Sequence, residues 1–198
     1  MEIAQQRLAS QRIGSARVEQ PEEIVRWLVA VQAQDYEGAK WALGVRLRGV
    51  TGAEVEKAFG DGRILRTHLL RPTWHFVTPA DIRWLLGLTA ARVHAANAYM
   101  YRKLELDDAT IRRCRTILTK ALRDGNQLTR NELRAALEKA GVPTTGELRM
   151  GYILMSPELD GLICSGPRRG KQFTYALLDE RVPSGGDLPR AEALAVLA

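Results

Sequence analysis

The 198-residue chain is 45% hydrophobic and 26% charged, with a net charge of +6 and a pI near 9.6. No apolar run approaches the roughly 20 residues that cross a bilayer, and the opening "MEIAQQRLASQRIGSARVEQPEE" has no apolar centre of a signal peptide. The two cysteines, Cys114 and Cys164, lie far apart without metal-type spacing, which argues against a disulfide framework and for a reducing cytoplasm.

The positive charge is spread evenly, +3 in each half of the chain. An excess of Lys and Arg favours a polyanionic partner, because each neutralised phosphate releases counterions. So mild an excess does not decide the matter, and local patterns must.

In chain order, "PEEIVRWLVAVQAQ" reads as a helix: Pro21 suits its first turn, and Ile24, Trp27, Leu28 and Val31 recur at helical spacing. "EGAKWALGVRL" is a second short helix, and "TGAEVEKAFGDG" a third, opened by a Thr51–Glu54 capping box and stopped at Gly60-Asp61-Gly62. "RILRTHLLRPTWHFV" changes to two strands broken at Arg71-Pro72. A long helix follows in "TPADIRWLLGLTAARVHAANAYMYRKL", with Thr78 expected as its N-cap. Trp27, Trp41, Trp74 and Trp84 are expected in the core of this first half.

The second half repeats the plan. "LDDATIRRCRTILTKALRDG" is amphipathic, with Ile111, Cys114, Ile117, Leu118, Ala121 and Leu122 on one face. "LTRNELRAALEKAGVP" begins with a Thr129–Glu132 capping box and ends on Gly141. "TTGELRMGYILMSPELDG" is a third helix, and "LICSG", "PRRGKQ" and "FTYALL" read as strand, turn, strand. Three helices and a basic-tipped hairpin outline a winged helix, whose third helix can enter the major groove while the wing touches the backbone.

The expected fold is therefore α-rich α+β, with tandem winged-helix modules. Residues 1–104 form a first, divergent module, 105–182 a second, and 183–198 a linker and the start of a third that the chain leaves incomplete. Arg168, Arg169 and Lys171 at the second wing, with Arg149 on the third helix, are the candidate DNA-binding residues. Charged residues that merely solvate a hairpin tip are the plainer explanation of the same pattern.

"VQAQDYEGAKWAL" stands out: Gln32 and Gln34 flank Ala33, and Asp35 follows. Positions two apart do not share a helix face, so the carboxamides converge only if the helix ends there, and Gly38 offers a positive-φ turn for that. Uncharged amides supply donors and acceptors that orient a water beside something cationic. Asp35 could bind such a cation or serve as a turn residue. His75, on a strand of the "RPTWHFV" hairpin, is a second candidate. The three histidines lack metal-ligand spacing, so neither a metal nor another cofactor is indicated.

Three stretches, "VQAQDYEGAKWALGVRL", "RTHLLRPTWHFVTPADIRWLL" and "GLICSGPRRGKQFTYALLDERVP", together resemble the AlkZ-like winged-helix DNA glycosylases, bacterial proteins of tandem winged helices. Characterised members excise alkylated bases and unhook interstrand crosslinks. The resemblance implies that Gln32-Ala33-Gln34 matches a family Gln–apolar–Gln motif at the catalytic site, with Asp35 and His75 in support. It also implies double-stranded DNA as partner, bound by a monomer. A non-catalytic winged-helix DNA-binding protein or transcriptional regulator is the alternative; a regulator should dimerise and prefer one operator.

Overall fold

A computed structural model describes residues 3–14, 18–146, 148–182 and 188–197. The first half contains α1 (Ile3–Ser10), α2 (Pro21–Trp27), β1 (Val31–Gln32), α3 (Tyr36–Gly44), α4 (Gly52–Gly60), β2 (Leu65–Leu69) and β3 (Thr73–Val77). After α5 (Ile82–Lys103) come α6 (Asp108–Leu122), β4 (Leu128–Thr129), α7 (Arg130–Lys139), α8 (Arg149–Leu159), β5 (Ile163–Ser165) and β6 (Thr174–Leu177). Short α9 (Leu178–Arg181) and α10 (Arg190–Leu197) close the chain. The order helix, strand, helix, helix, strand, strand therefore occurs twice, from α2 and again from α6. Each repeat makes a three-stranded antiparallel sheet with the same topology, β1-β3-β2 and β4-β6-β5.

Local chemistry explains the clean boundaries. Thr51 and Thr129 each accept from the N–H of the glutamate three residues on, and Glu54 and Glu132 return the bond to the threonine backbone. Gly125 and Gly141 take positive φ of 75° and 74° where α6 and α7 stop, a conformation glycine adopts at little cost. On α6, Cys114, Leu118 and Leu122 turn inward to a core with Leu133, Leu137, Met150, Ile153 and Ile163.

Four expectations change. The helix from Pro21 stops at Trp27 instead of running to Gln34; Val29 takes φ 65°, and Val31 and Gln32 pair with Phe76 and His75 on β3. Backbone partners on the hairpin outweigh a helical pattern in so short a segment. Gly38 has no positive φ and sits inside α3. The helix α5 starts at Ile82, after a turn in which the Thr78 hydroxyl donates to the Asp81 carboxylate. Of the four tryptophans only Trp84 is a core residue at 4% exposure; Trp27 and Trp41 are 52% and 72% exposed.

The halves share their cores. Phe173, beside β6, packs into the first core against Tyr36 and Phe59, with ring centroids 5.0 and 6.3 Å away. Cys164 and Leu178 join Leu65, Leu69, Val77 and the start of α5 in one cluster, while Ala90 and Val93 farther along α5 meet Met155 and Leu159 of α8. The edge strands β2 and β5 also meet: the Arg66 N–H donates to the Ser165 hydroxyl at 2.8 Å. Consequently α8 is no free reading helix, since Ile153 to Leu159 are buried between the halves. No helix among the described residues is long and apolar enough to cross a membrane.

Candidate active site

The Gln-Ala-Gln segment lies along the outer edge of the first sheet, not at a helix end. Side chains two apart on an extended strand share a face, so this backbone brings Gln32 and Gln34 to one side and turns Ala33 inward. Ala33 is fully buried, and its N–H donates to the Trp74 carbonyl at 2.8 Å. Both glutamines are exposed; Gln32 reaches the turn between β2 and β3, and Gln34 the first half of β3. Gln32 Oε1 accepts from Arg71 Nη2 at 2.9 Å, and Gln34 Oε1 accepts from the Trp74 N–H at 3.3 Å. Each oxygen keeps a second lone pair and each amide its two N–H donors.

Asp35 caps α3, with one carboxylate oxygen accepting from the Gly38 N–H at 3.1 Å. A Cβ at Gly38 would stand 2.5 Å from the other carboxylate oxygen, so glycine there gives the cap its room.

His75 sits across the ladder from Gln32 on one side and Thr67 on the other, and directly opposed residues share a face. It is only 4% exposed, and its Nδ1–H donates to the Thr73 carbonyl at 3.0 Å. Burial pushes the imidazole pKa below 6.5, with the Thr73 bond pulling the other way and nearby Arg71 and His68 adding to the depression. Burial thus favours the neutral ring, which lies across the ladder from Gln32 and is bonded to the first residue of β3.

Three of the four basic candidates are engaged within the protein, and the fourth is not. Arg168 lies between the rings of Tyr36 and Phe173, 4.8 and 5.1 Å from their centroids, and pairs with Glu56 at 3.3 Å. Arg149 donates to the carbonyls of Pro143 and Leu104. Arg169 pairs with Glu132 at 2.7 Å and donates to the Gln127 carbonyl. Lys171 is exposed, with no acid or acceptor against its ammonium among the described residues.

Sequence reading overlooks Arg66 and expects Trp74 only as a core residue, whereas it is half-buried beside the groove. Arg66 Nε donates to the Ala33 carbonyl at 3.0 Å, and the guanidinium lies 4.3 Å from the Trp74 ring centroid. Both side chains line a groove of about 370 Å³ between the two halves, whose other walls include Arg130, Lys171, Phe173 and Tyr175. The glutamines lie outside its lining and meet it through Ala33 and Trp74. An arginine in the middle of a strand was the available signal, because a charge on a buried strand needs a reason.

Residues 25–198 match the family model "DNA glycosylase AlkZ-like". Among curated proteins, the "Interstrand DNA cross-link repair glycosylase" of Streptomyces sahachiroi is 26% identical over 164 residues, covering 78% of this chain and 43% of that protein. The solved structure of "Streptomyces sahachiroi DNA glycosylase AlkZ" superposes with a TM-score of 0.78 at 22% identity, over 96% of this chain and 53% of that one. The chain thus spans about half the length of the relatives it matches, in the same fold. It belongs to the AlkZ-like DNA glycosylase family.

Proposed function

We propose that this chain carries the DNA-binding and motif-bearing part of a monofunctional DNA glycosylase, acting on N7-alkylated or interstrand-crosslinked purines. The observation that carries this reading is the Gln32-Ala33-Gln34 edge, with both exposed carboxamides on the β2–β3 hairpin, one at its turn and one at β3. The matched relative is named as a crosslink repair glycosylase, which agrees with it.

An N7-substituted purine is cationic and leaves readily, so the protein must chiefly position water at the sugar carbon and shield developing oxocarbenium charge. The free lone pairs of Gln32 and Gln34 accept the O–H groups of that water and direct its oxygen at the sugar carbon. The glycosidic C–N bond breaks with its electron pair going to the base, which leaves neutral, and the proton the water sheds passes to solvent. Neither amide brings a charge that would oppose the forming cation. The Asp35 carboxylate adds electrostatic support from the start of α3, and His75 is a positioning residue that keeps the turn in place. Arg71 adds positive charge beside Gln32, which suits a phosphate flanking the lesion better than the sugar itself.

The repeated helix–strand–helix–helix–strand–strand order supports two winged helices, residues 1–104 and 105–182, with residues 183–198 leading into a third. Residues 183–187 of that linker lie outside the described residues. The protein works in the cytoplasm as a monomer on double-stranded DNA. Of the wing residues, Lys171, exposed and without an acidic partner among the described residues, meets a phosphate.

The test is a duplex bearing N7-methylguanine. The protein should generate abasic sites in it, and replacing both Gln32 and Gln34 with Ala should abolish this while duplex affinity stays within about threefold. Undiminished excision by the double variant refutes the assignment.

A further inference from the structure

The groove between the two halves contains a buried cation that no carboxylate among the described residues bonds directly. Arg66, at 7% exposure, is among the most buried charged residues of the chain. Its guanidinium is sandwiched between Trp74 and Phe173, at 4.3 and 4.4 Å from the ring centroids. Only Nε has a protein acceptor, the Ala33 carbonyl; the two terminal nitrogens have none among the described residues. The buried carboxylate facing this region, Glu158, is engaged by His68 at 2.5 Å. A buried, unmatched guanidinium is costly unless something anionic arrives to meet it.

The groove's other walls suit an anion. The first turn of the ten-residue α7 opens into it through Thr129, Arg130 and Asn131. The N–H groups of Arg130 and Asn131 lie at the positive end of the helix, where no intrahelical carbonyl reaches them. Lys171 lines the groove, exposed, with its ammonium unpaired among the described residues. The acid of that turn, Glu132, is occupied by Thr129 and Arg169 and is held near a pKa of about 2 by those bonds.

We propose that this groove is a phosphodiester site, in which Arg66, Lys171 and the start of α7 hold one phosphate of the DNA strand. The proposal deepens the glycosylase reading and rests on it. Two aromatic faces hold the planar guanidinium in one orientation, and its terminal N–H groups, unbonded among the described residues, offer the groove a two-point contact. Through Nε the same residue holds the Ala33 carbonyl, so the phosphate contact and the Gln motif share one side chain. The strand then crosses the junction of the two halves instead of passing over the wing that Arg168 ties down.

The experiment is a titration of a fluorescent DNA duplex with the protein and with Arg66→Met and Lys171→Gln, from 50 to 200 mM NaCl as about the useful range. Each variant should lower the slope of log affinity against log salt by about 0.9. Unchanged slopes in both variants, with normal binding by the unaltered protein, overturn this site and leave the glycosylase reading standing. Failure of the unaltered protein to bind DNA overturns both. Lys171 is exposed, so its variant decides the matter even if Arg66→Met does not fold. In a parallel arm at constant ionic strength, inorganic phosphate should not displace the duplex at low millimolar concentration; displacement with unchanged slopes would make the groove a free-anion site and overturn the proposal.

Discussion

His68 on β2 and Glu158 on α8 meet at 2.5 Å, both almost wholly buried, and form an ionisable contact across the two halves. The Trp74 ring covers the imidazole at a centroid distance of 4.3 Å. Such a contact gains little over an apolar pair, but removing one partner strands the other in a medium that cannot solvate it. Glu158→Ala leaves the buried imidazole without its partner and should cost about 1–3 kcal/mol, read as a lowered urea midpoint. A midpoint within experimental scatter of the unaltered protein would mean that the contact is not formed.

Arg168 makes a second joint of a different kind. Its guanidinium lies between Tyr36 and Phe173 and reaches Glu56 and Glu37, so the second hairpin is pinned onto α3 and α4. The side chain is 16% exposed, and the cation–π and ionic contacts act together. Arg168→Ala should lose about 1–2 kcal/mol of stability while leaving the salt slope of DNA binding unchanged. A variant of normal stability with a slope reduced by about one unit would restore Arg168 to the phosphate-contacting role that a basic wing tip implies.

Elements with local signals were readable from the chain. Thr51 with Glu54 and Thr129 with Glu132 satisfy orphan helix N–H groups within four residues, and the break at Arg71-Pro72 separates β2 from β3 just as a turn residue should. The strands β1 and β4 were not, because two residues carry no period and their partners lie far along the chain. That is why the motif was placed at a helix end. Gln32 and Gln34 were legible as unusual, but their shared face follows from pairing to β3. The groove was harder still: Arg66, Lys171 and Arg130 come together only because Phe173 docks into the first core.

The buried imidazole of His75 makes stability depend on pH. Its folded pKa is depressed below 6.5, chiefly by burial, so between the two values the unfolded chain binds a proton that the folded chain does not. Stability attributable to this residue is complete above pH 6.5 and is lost as the pH falls through the folded value. His75→Gln should flatten that acid-side decline in urea midpoints measured between about pH 7.5 and 5. An identical pH profile in the variant would show that the ring is not held neutral in the folded protein.

Asp35 allows the structural and electrostatic roles of one carboxylate to be separated. As N-cap of α3 it accepts from Gly38, and asparagine serves that position about as well as aspartate. Asp35→Ala should therefore lose about 1 kcal/mol, whereas Asp35→Asn should melt close to the unaltered protein. Asp35 is exposed and adjacent in sequence to Gln34, and only the aspartate carries charge there. If that charge steadies the forming oxocarbenium ion, Asp35→Asn should excise N7-methylguanine about tenfold more slowly, a difference of about 1.4 kcal/mol in the barrier. Equal rates with Asp and Asn, together with the stability loss in Asp35→Ala, would reduce Asp35 to a helix cap and leave the chemistry to the two glutamines.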